Sequence, residues 1–332
     1  MKHKLPYFIL MLLIASLPAC RSERAGVSGG AQNLPDGQTP KICLLDTNSA
    51  DGQSWVRNIY QTLQDAENDL RVELHLEAAE SWKDYEKMLH AYGKQACVMV
   101  VGEGLPFEEA ALSISSQYPE TFFFAIDSNV DNNANVAGLS VDARQPFYLL
   151  GVLAAEMGSR AGLVGGAETT PVTEAFAGFV EGAHSVDPGF PVSEVYLDDW
   201  VDAAGGKQAA LELMAGGADF VVPYAGAAAI GVYHAVVEEN NWTFGVIRDQ
   251  IAQAPKNITA SYVVDYGQAV KNIIADIRTG AFELNGNIVF GLVDEDVVLI
   301  SYNEGSDNPV SQALRDEVEE IRAMIAAVGI DQ

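Results

Sequence analysis

From residue 41 onward, short apolar runs alternate with amphipathic stretches of helical period. That order restricts the chain to a layered α/β fold. Apolar runs at 41–45, 96–101 and 121–126 are nearly continuous, as in strands buried on both faces of a parallel sheet; 70–77 alternates like a half-buried strand. Between them, 54–68, 82–92 and 107–117 carry the spacing of helices. The order β-α-β-α-β-α-β predicts a doubly wound, mostly parallel sheet. A short strand at 136–139 and an apolar helix at 146–157 lead into a second series. There, strands at 163–164, 192–196, 220–223 and 243–247 alternate with helices at 172–183, 203–215 and 229–239. A helix near 268–279, strand-like pieces at 287–290 and 297–300, and a helix at 310–327 close the chain.

Two β/α series in tandem predict two similar lobes. The segments after residue 250 are too few for a third domain, so they are expected to return and complete the lobes. The expected division is 41–140 plus about 250–282 for the first lobe. The second takes 141–249 plus about 283–332. A ligand would sit between the lobes, at the C-terminal ends of the strands.

The N-terminus reads as a targeting segment. Lys2, His3 and Lys4 precede a 13-residue apolar run, LPYFILMLLIASL, too short for a comfortable membrane span and suited to a signal peptide of residues 1–19. It ends Leu17-Pro18-Ala19-Cys20, an arrangement like a bacterial lipobox with Pro18 as a departure. Cys20 is thereby the expected lipidation site. Residues 20–40 are polar, Gly- and Pro-rich and aperiodic, as in a flexible tether. Cys43 and Cys97 lie in apolar runs. They are either two small core residues or, if their strands are neighbours in an exported protein, a disulfide.

Charge and missing motifs narrow the function. With 19 Lys and Arg against 46 Asp and Glu, the chain is unsuited to neutralising phosphates, which argues against nucleic acid and anionic lipid surfaces as partners. No phosphate-binding loop, nucleophile elbow, H-E-x-x-H or C-x-x-C is present. The five His are scattered without ligand spacing, and the acidic clusters Asp198-Asp199 and Asp294-Glu295-Asp296 read as solvated loops. Nothing marks an enzyme, a metal site or a cofactor.

Several stretches, in order, resemble the basic membrane protein family of substrate-binding lipoproteins, which includes purine nucleoside receptors of ABC importers. They are VGEGLPFEEAALSISSQYPETFFFAID, FYLLGVLAAEMGSRAGLVGG, FAGFVEGAHSVDP, FVVPYAGAAAIGV and FGVIRDQ. The resemblance covers about 41–302. It implies a type I periplasmic binding protein fold with the ligand enclosed between lobes. It also implies a monomeric, non-catalytic receptor with an ABC permease as its partner and membrane contact only through the lipid anchor.

Matched to the family's motifs, Asp46, Trp55, Asp127 and Asp249 are the implied ligand-binding residues, with Tyr224 taking the place of an aromatic that falls at Val222. Their chemistry is consistent with that use. Carboxylates accept hydrogen bonds from hydroxyl and amino groups, and an indole offers a flat face. Without the resemblance, the same aspartates serve equally well as turn caps and Trp55 as core. Where the family has Asn, Asp and Lys, this chain has Val56, Ile247 and Val264. Fewer polar partners and a larger aromatic shift the expectation from a purine nucleoside towards riboflavin, a wider ring carrying a polyol.

Overall fold

The computed structural model describes residues 39–47 and 54–330. The signal peptide, Cys20 and nearly all of the tether lie outside them. Strand β1 (Lys41–Asp46) enters the first sheet and helix α1 (Trp55–Leu70) returns over it. The pattern continues through β2 (Glu73–Ala78), α2 (Tyr85–Lys94), β3 (Met99–Glu103), α3 (Leu105–Ile114), β4 (Phe122–Ile126) and β5 (Val136–Val141). The second series is α4 (Arg144–Met157), β6 (Ala161–Gly165), α5 (Thr170–Val186), β7 (Val192–Tyr196), α6 (Ala203–Ala215), β8 (Phe220–Tyr224), α7 (Ala229–Glu239) and β9 (Thr243–Gly245). Then come β10 (Ile258–Val264), α8 (Tyr266–Thr279), β11 (Ile288–Phe290), β12 (Val298–Tyr302) and α9 (Gln312–Val328).

The first sheet has six strands, ordered β11-β5-β4-β3-β1-β2, and every pairing in it is parallel. Its central strand β4 is buried from end to end and β3 along all but its last residue, Glu103, as their apolar runs require. Strands β7-β6-β8 and β12-β10-β9 form the second lobe, joined by a parallel bridge between Phe220 and Trp242. Among the strands of the described residues, only β12 runs antiparallel to its neighbour. The α/β architecture with parallel sheets is the one expected.

The return segments differ from the expected division. Strand β10 pairs with β9 in the second lobe, whereas residues 250–264 were expected in the first. Strand β11 pairs with β5 in the first lobe, whereas the segment from 283 was expected in the second. Between them α8 packs on α1. The chain thus crosses between lobes after β5, after β10 and after β11. Short apolar runs carry no label for the sheet they join, so these exchanges were not visible in the pattern.

Two close contacts tie elements together within the lobes. Cys43 and Cys97 form a disulfide that ties β1 to the approach to β3, with Cα atoms 6.0 Å apart. Helices α4 and α5 meet almost backbone to backbone. A Cβ at Gly151 would collide with the Phe179 carbonyl and one at Gly182 with the Tyr148 carbonyl. The glycines of FYLLGVL and FVEGAH therefore set the approach of the two helices.

Candidate functional site

A cleft of about 760 Å³ lies between the lobes. The ends of β4 and β5 and the start of α1 form one wall, and β8, its following turn and the segment after β9 form the other. It opens at the carboxyl ends of the strands, where open α/β sheets take their ligands.

Trp55 is the first residue of α1. The Ser54 hydroxyl accepts the Arg57 N–H at 3.3 Å, capping the helix. Glu103, at the end of β3, accepts the Trp55 N–H at 3.1 Å and the Thr47 hydroxyl at 3.0 Å. A carboxylate at a helix N-terminus is favoured by the exposed N–H groups and the helix dipole. Glu103 thus holds the residue that presents the indole to the cleft. Tyr266 packs perpendicular to that indole with ring centroids 5.1 Å apart. The Arg248 guanidinium carbon sits 3.5 Å from the centroid of the indole.

Asp127 follows β4 with φ at +54°, a left-handed conformation that Asp tolerates better than most residues. It lines the cleft beside Arg248 and is hydrogen bonded by the Tyr266 hydroxyl. Burial pushes its carboxyl above the usual Asp value, while Arg248 and Tyr266 pull it back. Burial, and then the Asp127 charge, push the Tyr266 phenol well up, so it remains a hydrogen-bond donor. Tyr224, at the end of β8, stacks on Phe147 with centroids 5.4 Å apart and turns towards the same cleft. Val222, two residues earlier, is fully buried in the core.

Two expected site residues stand elsewhere. Asp46 is completely buried at the end of β1, where its carboxylate is ion-paired with Arg57, and it does not line the cleft. Arg57 lies in the first turn of α1 and so reaches back over the strand end. Asp249 lines a neighbouring groove of about 390 Å³ instead. Its carboxylate accepts the Ile251 N–H at 2.9 Å and the Ser301 hydroxyl at 3.2 Å. Just before it, Ile247 adopts φ of +67°, an outlying conformation for a β-branched residue. Arg248 is the next residue, and it reaches the cleft where Asp249 does not.

Arg248, Tyr266 and Trp200 are the lining or supporting residues that sequence reasoning missed. Arg248 is a lone cation inside the matched FGVIRDQ stretch, a signal that could have been used. Trp200 lines the cleft because Gly166 and Gly226 leave room beside its ring, and Gly226 has φ of +56°. Among the described residues, no group of three His, Cys, Asp or Glu is placed to hold a metal ion, and no helix is long and apolar enough to cross a membrane.

This two-lobed arrangement has a counterpart among known families. The model of the Bmp family, described as ABC transporter substrate-binding protein PnrA-like, matches residues 39–330. The chain belongs to the Bmp family. It is accordingly a substrate-binding protein of an ABC transporter and not an enzyme. It is 27% identical over 311 residues to the CD4+ T-cell-stimulating antigen of Listeria monocytogenes, covering 85% of this chain and 84% of that one. It is 25% identical over 341 residues to the ABC transporter nucleoside-binding protein BmpA of Lactococcus lactis subsp. cremoris, covering 96% and 94%. An ABC transporter solute-binding protein from Conexibacter woesei has the same fold, with a TM-score of 0.71 at 19% identity over 87% of this chain and 97% of that one.

Proposed function

We propose that this Bmp-family protein captures a heteroaromatic ring bearing hydroxyl groups and delivers it to an ABC permease. The observation that carries the reading is one cleft lined by two aromatic residues, Trp55 and Tyr224, and a partly desolvated carboxylate, Asp127. Aromatic faces bind a flat ring, and the carboxylate accepts hydrogen bonds from ribose or polyol hydroxyls. A purine nucleoside is the first candidate, supported by similarity to a nucleoside-binding relative. Riboflavin is the second reading. It is favoured by Trp200 as a second indole on the cleft. Asp46 and Asp249 support this site indirectly, the first through Arg57 and the second by fixing the turn that carries Arg248.

The test is calorimetric titration of refolded, ligand-free protein with inosine, guanosine, adenosine and riboflavin. At least one should bind with one-to-one stoichiometry and be recovered unchanged. Heat from none of the four would remove the reading. Tight riboflavin binding without nucleoside heat would select the second candidate. Affinity should also depend on pH. The ionised carboxylate is the better acceptor, and its pKa is raised above 3.8. Affinity should therefore hold near neutrality and fall on acidification, beginning above the usual Asp range. Asp127→Asn should flatten that profile; an identical profile in the variant would exclude Asp127 as its source.

We also read Cys20 as the lipid-bearing first residue of the mature chain, holding it outside the cytoplasm. The Cys43–Cys97 disulfide supports an oxidising, extracytoplasmic compartment. Cys20→Ser should move the protein from the membrane to the soluble fraction of its own cell. Unchanged partitioning would remove the anchor.

A further inference from the structure

Arg248 belongs to the second lobe, between β9 and β10, yet its guanidinium lies over an indole carried by the first. At 3.5 Å from the Trp55 centroid, the guanidinium carbon is in van der Waals contact with the ring. A ligand ring stacked on that face would sit at the same height. The guanidinium and a stacked ligand ring therefore exclude each other. Asp127, also in the first lobe, draws the same cation by its charge. Trp55 and Arg248 line both the 760 Å³ cleft and the 390 Å³ groove behind it, so the pair forms the partition between them. The backbone helps to fix this placement. Ile247 is held at φ of +67° while its carbonyl accepts the Val264 N–H at 2.9 Å, which anchors the turn that projects Arg248. Conformations of this kind persist only where the surroundings enforce them.

We propose that Arg248 is an affinity-determining latch that joins the two lobes through Trp55 and must leave the indole face before a ligand ring can stack there. This rests on the reading that the ligand stacks on Trp55. A cation over an indole is favourable, so a ligand gives up that contact when it displaces the guanidinium. The displaced guanidinium still has Asp127 as a partner, with five N–H donors to share between it and the ligand. Arg248 thus sets how tightly the receptor holds its cargo, and so how readily the cargo passes on.

The test variant is Arg248→Gln, which removes the cation but keeps a donor for Asp127. It is titrated beside wild type and Trp55→Ala with inosine and with riboflavin. Arg248→Gln should raise affinity roughly 2- to 30-fold, the worth of the cation–indole contact. In wild type labelled with ¹⁵N-arginine, the Arg248 Nε–H proton should be shifted upfield by the indole ring current. It should return to its ordinary position on ligand addition and in Trp55→Ala. Equal or weaker binding by Arg248→Gln, or a resonance that ligand does not move, overturns the latch. If Trp55→Ala weakens binding while Arg248→Gln does not strengthen it, the latch alone fails. If Trp55→Ala binds like wild type, the stacking reading fails as well.

Discussion

Replacing both Cys43 and Cys97 with Ala should lower the unfolding free energy by about 4 kcal/mol. The bridge closes a span of 54 residues in sequence. In the chain-entropy account, a loop of that length lies between the values of about 3 kcal/mol for 15 residues and 4.7 for 100. Both cysteines are fully buried in the core between the first sheet and α2 and α3. Alanine fits their places, so the loss should come mainly from the released constraint on the unfolded chain. Urea unfolding of the double variant, compared with oxidised and reduced wild type, measures it. Reduced wild type should resemble the variant. A loss below about 1 kcal/mol would show that the bridge adds little to a core already closed by its apolar packing.

The parts of the fold legible in the sequence were those with the strongest patterns. Strands β1, β3 and β4 sit inside a parallel sheet, so both faces are apolar and their runs are unbroken. Helices α1 and α8 are amphipathic, with one face packed on the lobe and the other in solvent, and they read clearly. The lobe exchange at β10 and β11 did not, because a strand of three to seven residues carries no mark of its partner. The glycines of α4 and α5 were visible as a motif. Their purpose, letting two helix backbones touch, needed the three-dimensional arrangement.

The candidate site divides in the same way. Trp55 and Asp127 came from the family's motifs and Tyr224 from the strand face it shares with Val222, not from position alone; all three line the cleft. Asp46 ends a strand, but Arg57, one turn into the following helix, claims its carboxylate. Asp249 lines the neighbouring groove, and after the left-handed Ile247 it is Arg248 that lines the cleft. Neither a left-handed isoleucine nor an arginine lying on a tryptophan follows from residue spacing. Both arise from contacts between segments far apart in the chain.

The second large effect concerns Trp55. Stacking of a heteroaromatic ring on an aromatic side chain contributes about 1–3 kcal/mol per ring. Trp55→Ala should therefore weaken ligand binding by roughly 5- to 150-fold. The fold should persist, since the indole lies at the cleft edge of α1 while Val56, Ile59 and Leu63 hold the helix to the sheet. Native mass spectrometry of the protein as isolated from its own cell, without unfolding, tests the central claim most directly. Wild type should carry one small molecule per chain that absorbs in the near ultraviolet and bears several hydroxyls, and Trp55→Ala should have lost most of it. A bound molecule without an aromatic ring, or one retained undiminished by Trp55→Ala, would contradict the account.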